Sequence, residues 1–258
     1  MAQFPAHLAT YVYGVAPAEP FRVGAPLRSP GIGGRAPLRT IVFDDLVAVV
    51  SDVPDIRIDV TRENLLSHQC VLDEVLKRSD VLPFSFGTVA ENDAEVRAVL
   101  LQDGYDALHE QLQHVRGCIE LEVKVFWDEQ CLFAEIVQEN EEVRALRDTV
   151  AFTPDEATNL DKITLGQLTE AEIHSKSEWE AEGLLSVLEM HAVDLVVSPN
   201  LSETMLLNAA FLVERSRESD FDSAIAGLAE AHAGRFIFNY VGPLPPYSFI
   251  NLAIAGEG

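Results

Sequence analysis

Positive charge is what this sequence has least of. Its 258 residues carry 18 lysines and arginines against 42 aspartates and glutamates, a formal net charge of −24. A surface of that sign repels phosphate backbones and anionic headgroups, so neither nucleic acid nor a lipid membrane is an expected partner. Cysteine is scarce as well. Cys70, Cys118 and Cys131 are odd in number and lack any C-x-x-C spacing, which removes a zinc site and a redox pair and predicts reduced, structural thiols. No apolar run approaches the roughly 18 residues of a spanning helix, and the first twenty residues show no basic start followed by an apolar block. The expected location is the cytoplasm.

Catalytic signatures are missing too. No G-x-S-x-G elbow occurs, so acyl-transfer chemistry loses its usual nucleophile. The histidines are scattered. His68 in His68-Gln-Cys70 stands at i,i+2 on a helix, where side chains diverge rather than converge on a metal. Adjacent carboxylates such as Asp44-Asp45 and Glu141-Glu142 suit turns and solvent better than acid–base work, which needs one shielded group. We therefore expect no catalytic residue, no metal and no cofactor.

What is present is a globular chain, 48% hydrophobic, with material for one large core or two modest ones. Thr10–Val15 reads as a strand, and residues 16 to 37, rich in proline and glycine, as a loop. Arg39–Phe43 and Leu46–Val50 flank Asp44-Asp45 in the pattern of a tight hairpin. Leu65, Leu66, Cys70, Val71, Leu72, Val75 and Leu76 recur at helical spacing behind Thr61, a candidate N-cap, and predict a helix over 61–79. Pro83 forces an extended segment. A second helix starts at Asn92 and stops at Gly117, with Gly104 able to bend it. Ile119–Trp127 alternates cleanly, with Ile119, Leu121, Val123, Val125 and Trp127 on one face and Glu120, Glu122 and Lys124 on the other.

Composition shifts after Asp128. Between Asp128 and Asp194 stand 17 acidic and four basic residues, while residues 1 to 43 hold one acid and four arginines. A helical stripe covers 129 to 147, Pro154 and Asn159 mark a break, and an acidic helix follows over roughly 165 to 190. Strands at 193–197, 205–213 and 235–241 and a helix at 219–233 complete a smaller second α+β unit. The chain closes on a proline-stiffened arm, Gly242–Leu252, which cannot be a central strand or a helix interior.

Two features invite a functional reading. Gly31-Ile-Gly33-Gly34-Arg35, flanked by Arg28 and Arg39, could cradle an anion or nucleotide, although it lacks the G-K-[ST] ending of a P-loop and leads into a strand. Rigid prolines with aromatics suit a contact surface because little conformational entropy is lost on docking. They occur at Phe84 and Phe86, and at Pro243, Pro245, Pro246, Tyr247 and Phe249. The closing arm could equally cover the sheet edge of the second unit.

The sequence resembles the gas vesicle protein GvpF/GvpL family. The likeness rests on Tyr11-Val-Tyr-Gly14, Leu82-Pro-Phe-Ser-Phe-Gly-Thr-Val89, Glu120–Val125, Met205–Val213 and Gly242-Pro-Leu-Pro-Pro-Tyr-Ser-Phe249, in the family's order. It departs at Ser85 and Leu244, where arginine and tryptophan are usual. The resemblance implies an α+β protein: a modified ferredoxin-like domain over 1–128, a helical and α+β domain over 129–242 and a tail over 243–258. It also implies a non-enzymatic accessory or minor structural protein of gas vesicle assembly. Its expected partners are the hydrophobic shell subunit or other vesicle accessory proteins. An anion-binding enzyme or sensor built on the Gly31–Arg39 loop is the competing expectation.

Overall fold

A computed structural model describes residues 8–34, 36–152 and 159–251. Arg35, the break expected at Pro154, and the tail from Leu252 onward lie outside them. The first sheet starts with β1 (Ala9–Pro17), followed by a four-residue helix α1 (Glu19–Arg22) and a single 3-10 turn at Ile32–Gly34. The chain then makes the hairpin β2 (Leu38–Phe43) and β3 (Leu46–Val53). Phe43 pairs with Leu46, and Asp44 takes a positive φ of 51°, a turn geometry that aspartate tolerates.

Helix α2 (Arg62–Leu76) follows, its Thr61 hydroxyl accepting the Asn64 N–H at 3.2 Å as expected of an N-cap. Two-residue strands β4 (Leu82–Pro83) and β5 (Val89–Ala90) both pair with β1, giving the antiparallel order β2-β3-β1-β4. Where a β-α-β-β-α-β unit has its first crossover helix, this chain has only α1 and loop. The register shifts between Val12 and Gly14, leaving Tyr13 as an extra residue on β1. Gly14 is required there, because a Cβ would sit 2.5 Å from the Leu82 carbonyl oxygen.

The second expected helix is interrupted. It consists of α3 (Asp93–Glu95), a π-helical stretch over Val96–Asp103, and α4 (Tyr105–His114). With i→i+5 bonding, Val96 and Leu101, five apart, fall closer to one face than on an α-helix, and both are buried. Strand β6 (Cys118–Trp127) begins the second sheet and buries all five predicted apolar residues. Glu120 corrects the expected polar face: it is 1% exposed, and its carboxylate accepts the Ser248 N–H and Oγ–H, each at 2.8 Å.

The single helical stripe expected over 129–147 is two helices, α5 (Glu129–Glu139) and α6 (Glu141–Phe152). Asn140 breaks them apart, its side-chain oxygen accepting the N–H groups of Glu142 and Val143, a local bond that competes with helix continuation. Helix α7 (Asn159–Glu189) is the long acidic helix. Strands β7 (Asp194–Val197) and β8 (Met205–Glu214), helix α8 (Glu218–Ala231) and strand β9 (Phe236–Leu244) complete the second sheet in the order β7-β8-β6-β9. Pro243 falls near the end of β9, on an edge, where a missing N–H is tolerated.

Of the described residues, those up to Glu120 together with those from Pro243 onward form one compact unit, and Leu121–Gly242 the other. The closing segment returns to the first unit at Glu120. In the second unit, Arg235 binds Glu135 and Glu180 at 2.6 Å each, and Lys176 binds Glu135 and Glu139 at 3.0 and 2.7 Å. The guanidinium also stands 5.4 Å over the Trp127 ring. Hydrogen bonding from Arg235, more than any other influence, holds the Glu135 carboxyl down at about 2.

Candidate functional site

Three segments of the first unit meet at one apolar depression of about 600 Å³. Helix α2 buries Ser67, His68, Val71, Leu72, Val75 and Leu76. That choice of face leaves Leu65 and Leu66 at the surface, 44% and 53% exposed, although both were expected in the core stripe. Cys70 is exposed as well, whereas Cys118 is buried. The turn after β4 supplies the second wall. Phe84 donates its N–H to Tyr13 O and is itself buried, Thr88 closes onto the Ser85 carbonyl at 2.8 Å, and Gly87 takes a φ of 92°. Phe86 is thereby set edge-on to Tyr11 and His68, with ring centroids 6.2 and 5.9 Å away.

The closing segment brings the third wall. Pro245, Pro246 and Phe249 are buried, the Asn251 N–H reaches Gln111 Oε1 at 3.1 Å, and Glu120 holds Ser248. Tyr247, on the 3-10 turn between these anchors, completes the lining with Arg62, Leu65, Leu66, His68, Gln69 and Phe86.

Beneath the depression runs a neutral polar chain. Gly87 donates its N–H to Tyr11 Oη at 3.1 Å, the Tyr11 hydroxyl donates to His68 Nδ1 at 2.9 Å, and His68 Nε2–H donates to Phe84 O at 3.2 Å. This donor order follows from a neutral imidazole. Burial pushes the His68 pKa down to about 4 and the Tyr11 phenol well above its ordinary 10. Burial likewise raises Tyr247. Both imidazole nitrogens are engaged, so His68 offers no free base. Its geometry fixes the 84–88 turn and leaves an apolar recognition face above. Among the described residues no group of three or more His, Cys, Asp or Glu is placed to hold a metal ion.

Of the seven residues singled out for partner contact, Phe86 and Tyr247 therefore come together in the depression. Phe84, Pro245, Pro246 and Phe249 are buried supports, and Pro243 is exposed on β9. Sequence reasoning missed Leu65, Leu66 and the structural role of His68.

Several described donors in and just before the Gly31–Arg39 loop are engaged within the chain. Arg28 and Ser29 N–H bind Glu74, Gly31 N–H binds Ala36 O, Ile32 N–H binds Tyr13 Oη, Gly33 N–H binds Asn64 Oδ1 and Gly34 N–H binds Gly31 O. The Arg39 guanidinium is held by Asp52 and Asp93. The amides an anion would require already hold the loop to α2 and β1.

Two antiparallel sheets with helices define an α+β protein, and its first unit carries an apolar depression. Residues 9–251 match the family model described as gas vesicle synthesis protein GvpL/GvpF. Gas vesicle protein F of Streptomyces sp. (strain CB03234) is 33% identical over 249 residues, 94% of this chain and 100% of that protein. Gas vesicle protein F1 of Halobacterium salinarum is 26% identical, covering 96% of this chain and 95% of that one. The crystal structure of the gas vesicle protein GvpF from Anabaena sp. PCC7120 superimposes with a TM-score of 0.81 at 25% identity, covering 95% and 99% of the two chains. The chain belongs to the gas vesicle synthesis protein GvpL/GvpF family and has a role in gas vesicle assembly. No helix among the described residues is long and apolar enough to cross a membrane.

Proposed function

We propose that this chain is a non-catalytic assembly factor of the cytoplasm and the gas vesicle, which holds the hydrophobic shell subunit on the face formed by Leu65, Leu66, Phe86 and Tyr247. The observation that carries the reading is the exposure of two adjacent leucines beside two aromatics, in a chain whose surface is otherwise strongly acidic. An apolar patch braced by a rigid turn fits a hydrophobic client, and the surrounding negative charge keeps the complex from self-associating. Domains 1–128 and 129–242 with the tail 243–258 fit this division, the tail lending Tyr247 to the face.

A pull-down of the shell subunit by the full chain tests it. The unsubstituted protein should enrich the subunit at physiological ionic strength, and Leu66→Glu should reduce recovery by at least about tenfold, as loss of a central apolar anchor does. Equal recovery by the two would remove the patch from the reading. No enrichment by either would remove direct binding, leaving another vesicle accessory protein as the partner to test on the same variant.

A further inference from the structure

A second surface, on the other compact unit, has a shape that selects its partner. Helix α7 is 31 residues long, yet its buried residues are Glu180, Leu184 and Leu188, all in its second half. The first half carries Leu160 and Ile163 at 75% and 58% exposure. Beside them a groove of about 540 Å³ runs along α7, walled by Phe133 of α5 and by Glu203.

The α7 residues lining that groove follow one rule. Lys162, Leu165, Gly166 and Thr169 stand at i, i+3, i+4 and i+7, and Gly166, Thr169, Glu170 and Ile173 repeat the same set one turn later. Four residues so spaced on one helix face form the hole into which a side chain of a packed neighbouring helix inserts. Gly166 belongs to both holes, and a Cβ built on it meets nothing within 4 Å. The groove is therefore two successive empty holes in helix register. A strand, with its period of two, cannot seat side chains at this spacing.

Charge narrows the partner further. Glu170 and Glu203 rim the groove against a single Lys162, and the α7 residues lining it lie in the Asp128–Asp194 stretch of 17 acidic and four basic residues. A second copy of this chain would set like charge on like charge. We propose that the α7 groove receives an amphipathic helix of a different protein, with apolar residues at heptad spacing and lysine or arginine along its flanks.

The probe is a labelled synthetic peptide of about three heptads, with leucine at the core positions and lysine on the flanks, and a matched peptide bearing glutamate in place of lysine. Both are titrated against the full chain by fluorescence anisotropy at physiological ionic strength. We expect saturable one-to-one binding of the lysine peptide and none of the glutamate peptide. Gly166→Gln fills both holes without altering charge and favours helix, so α7 keeps its fold; it should weaken binding at least about tenfold, as removal of an interface centre does. The pair Glu170→Lys, Glu203→Lys should weaken it comparably, and Phe86→Ser should leave it unchanged.

Undiminished binding by Gly166→Gln would reduce the interaction to bulk charge attraction and overturn the proposal. Equal affinity for the glutamate peptide would do the same. A dimer in sedimentation that Gly166→Gln abolishes would assign the groove to a second copy, against the proposal. None of these outcomes touches the Leu66 patch, whose test uses a different variant and a different ligand.

Discussion

Apart from Glu120, the buried polar groups of the first unit are neutral, whereas the polar network of the second is charged and only partly buried. Tyr11, His68 and the backbone of the 84–88 turn form a chain of uncharged hydrogen bonds. Arg235, Glu135, Glu180 and Lys176 form an ion network that ties α5, α7 and the residue preceding β9 together. A neutral network positions one turn with little desolvation cost, whereas the ion network is strong only while every partner stays in place. One fixes a recognition face and the other fixes helices, and the two should fail under different insults.

Both tryptophans, Trp127 and Trp179, lie within Leu121–Gly242, so intrinsic fluorescence reports the second unit alone. The largest effect expected on it comes from Arg235→Ala, which takes from Glu180 its ion pair and leaves Glu135 with Lys176 alone, and should lower stability by about 3 kcal/mol. Urea titration of Trp fluorescence measures the shift. A change under 1 kcal/mol would make this network an ordinary surface one. Next in size is Tyr11→Phe, which leaves His68 Nδ1 and the Gly87 N–H without partners and should cost the first unit about 2 kcal/mol. Hydrogen exchange should then lose protection at Gly87 while the Trp transition stays put.

Acidification separates the units without mutation. His68 has a folded pKa of about 4 against an ordinary 6.5. The unfolded chain therefore takes up the proton first, and the stability His68 provides is full above 6.5 and lost as pH falls toward 4. Glu135, at about 2 against 4.5, provides stability above 4.5 that is lost between 4.5 and 2. Protection factors in the 84–88 turn, taken relative to the intrinsic exchange rate at each pH, should fall from about pH 6.5 downward, with Trp fluorescence unaffected until about pH 4.5. Simultaneous onset would contradict the comparison. The smallest stability effect, within about 0.5 kcal/mol, is expected for Leu66→Glu, since a patch residue outside the core contributes little to folding.

Local pattern reveals what local bonds determine. The hairpin at Asp44-Asp45, the Thr61 cap and the alternation of β6 all sit within a few residues of their causes, and each is where the sequence puts it. Glu120 and Leu66 show where such reading stops. Glu120 looks like the solvent side of an alternating strand, yet its partner Ser248 lies 128 residues downstream. Leu65 and Leu66 carry the same helical spacing as the core residues of α2, and only the packing of His68 and Val71 decides which side turns inward. Asn140 separates α5 from α6 through its own side-chain bonds, and the apolar stripe running across it hides that break. Phe86 and Tyr247 stand out as aromatics beside prolines, while nothing in the sequence places them within one depression.

The first unit is discontinuous, and that has a consequence for biosynthesis. A ribosome delivers residues 8–120 early, the whole of the second unit next, and Tyr247 with its Pro245 and Phe249 anchors only at the finish. Domains fold as they emerge, so the second unit can reach its native form while the first still lacks its last wall. The depression is then complete only in a polypeptide translated at least as far as Asn251, and a prematurely truncated product would lack the wall that Tyr247 supplies.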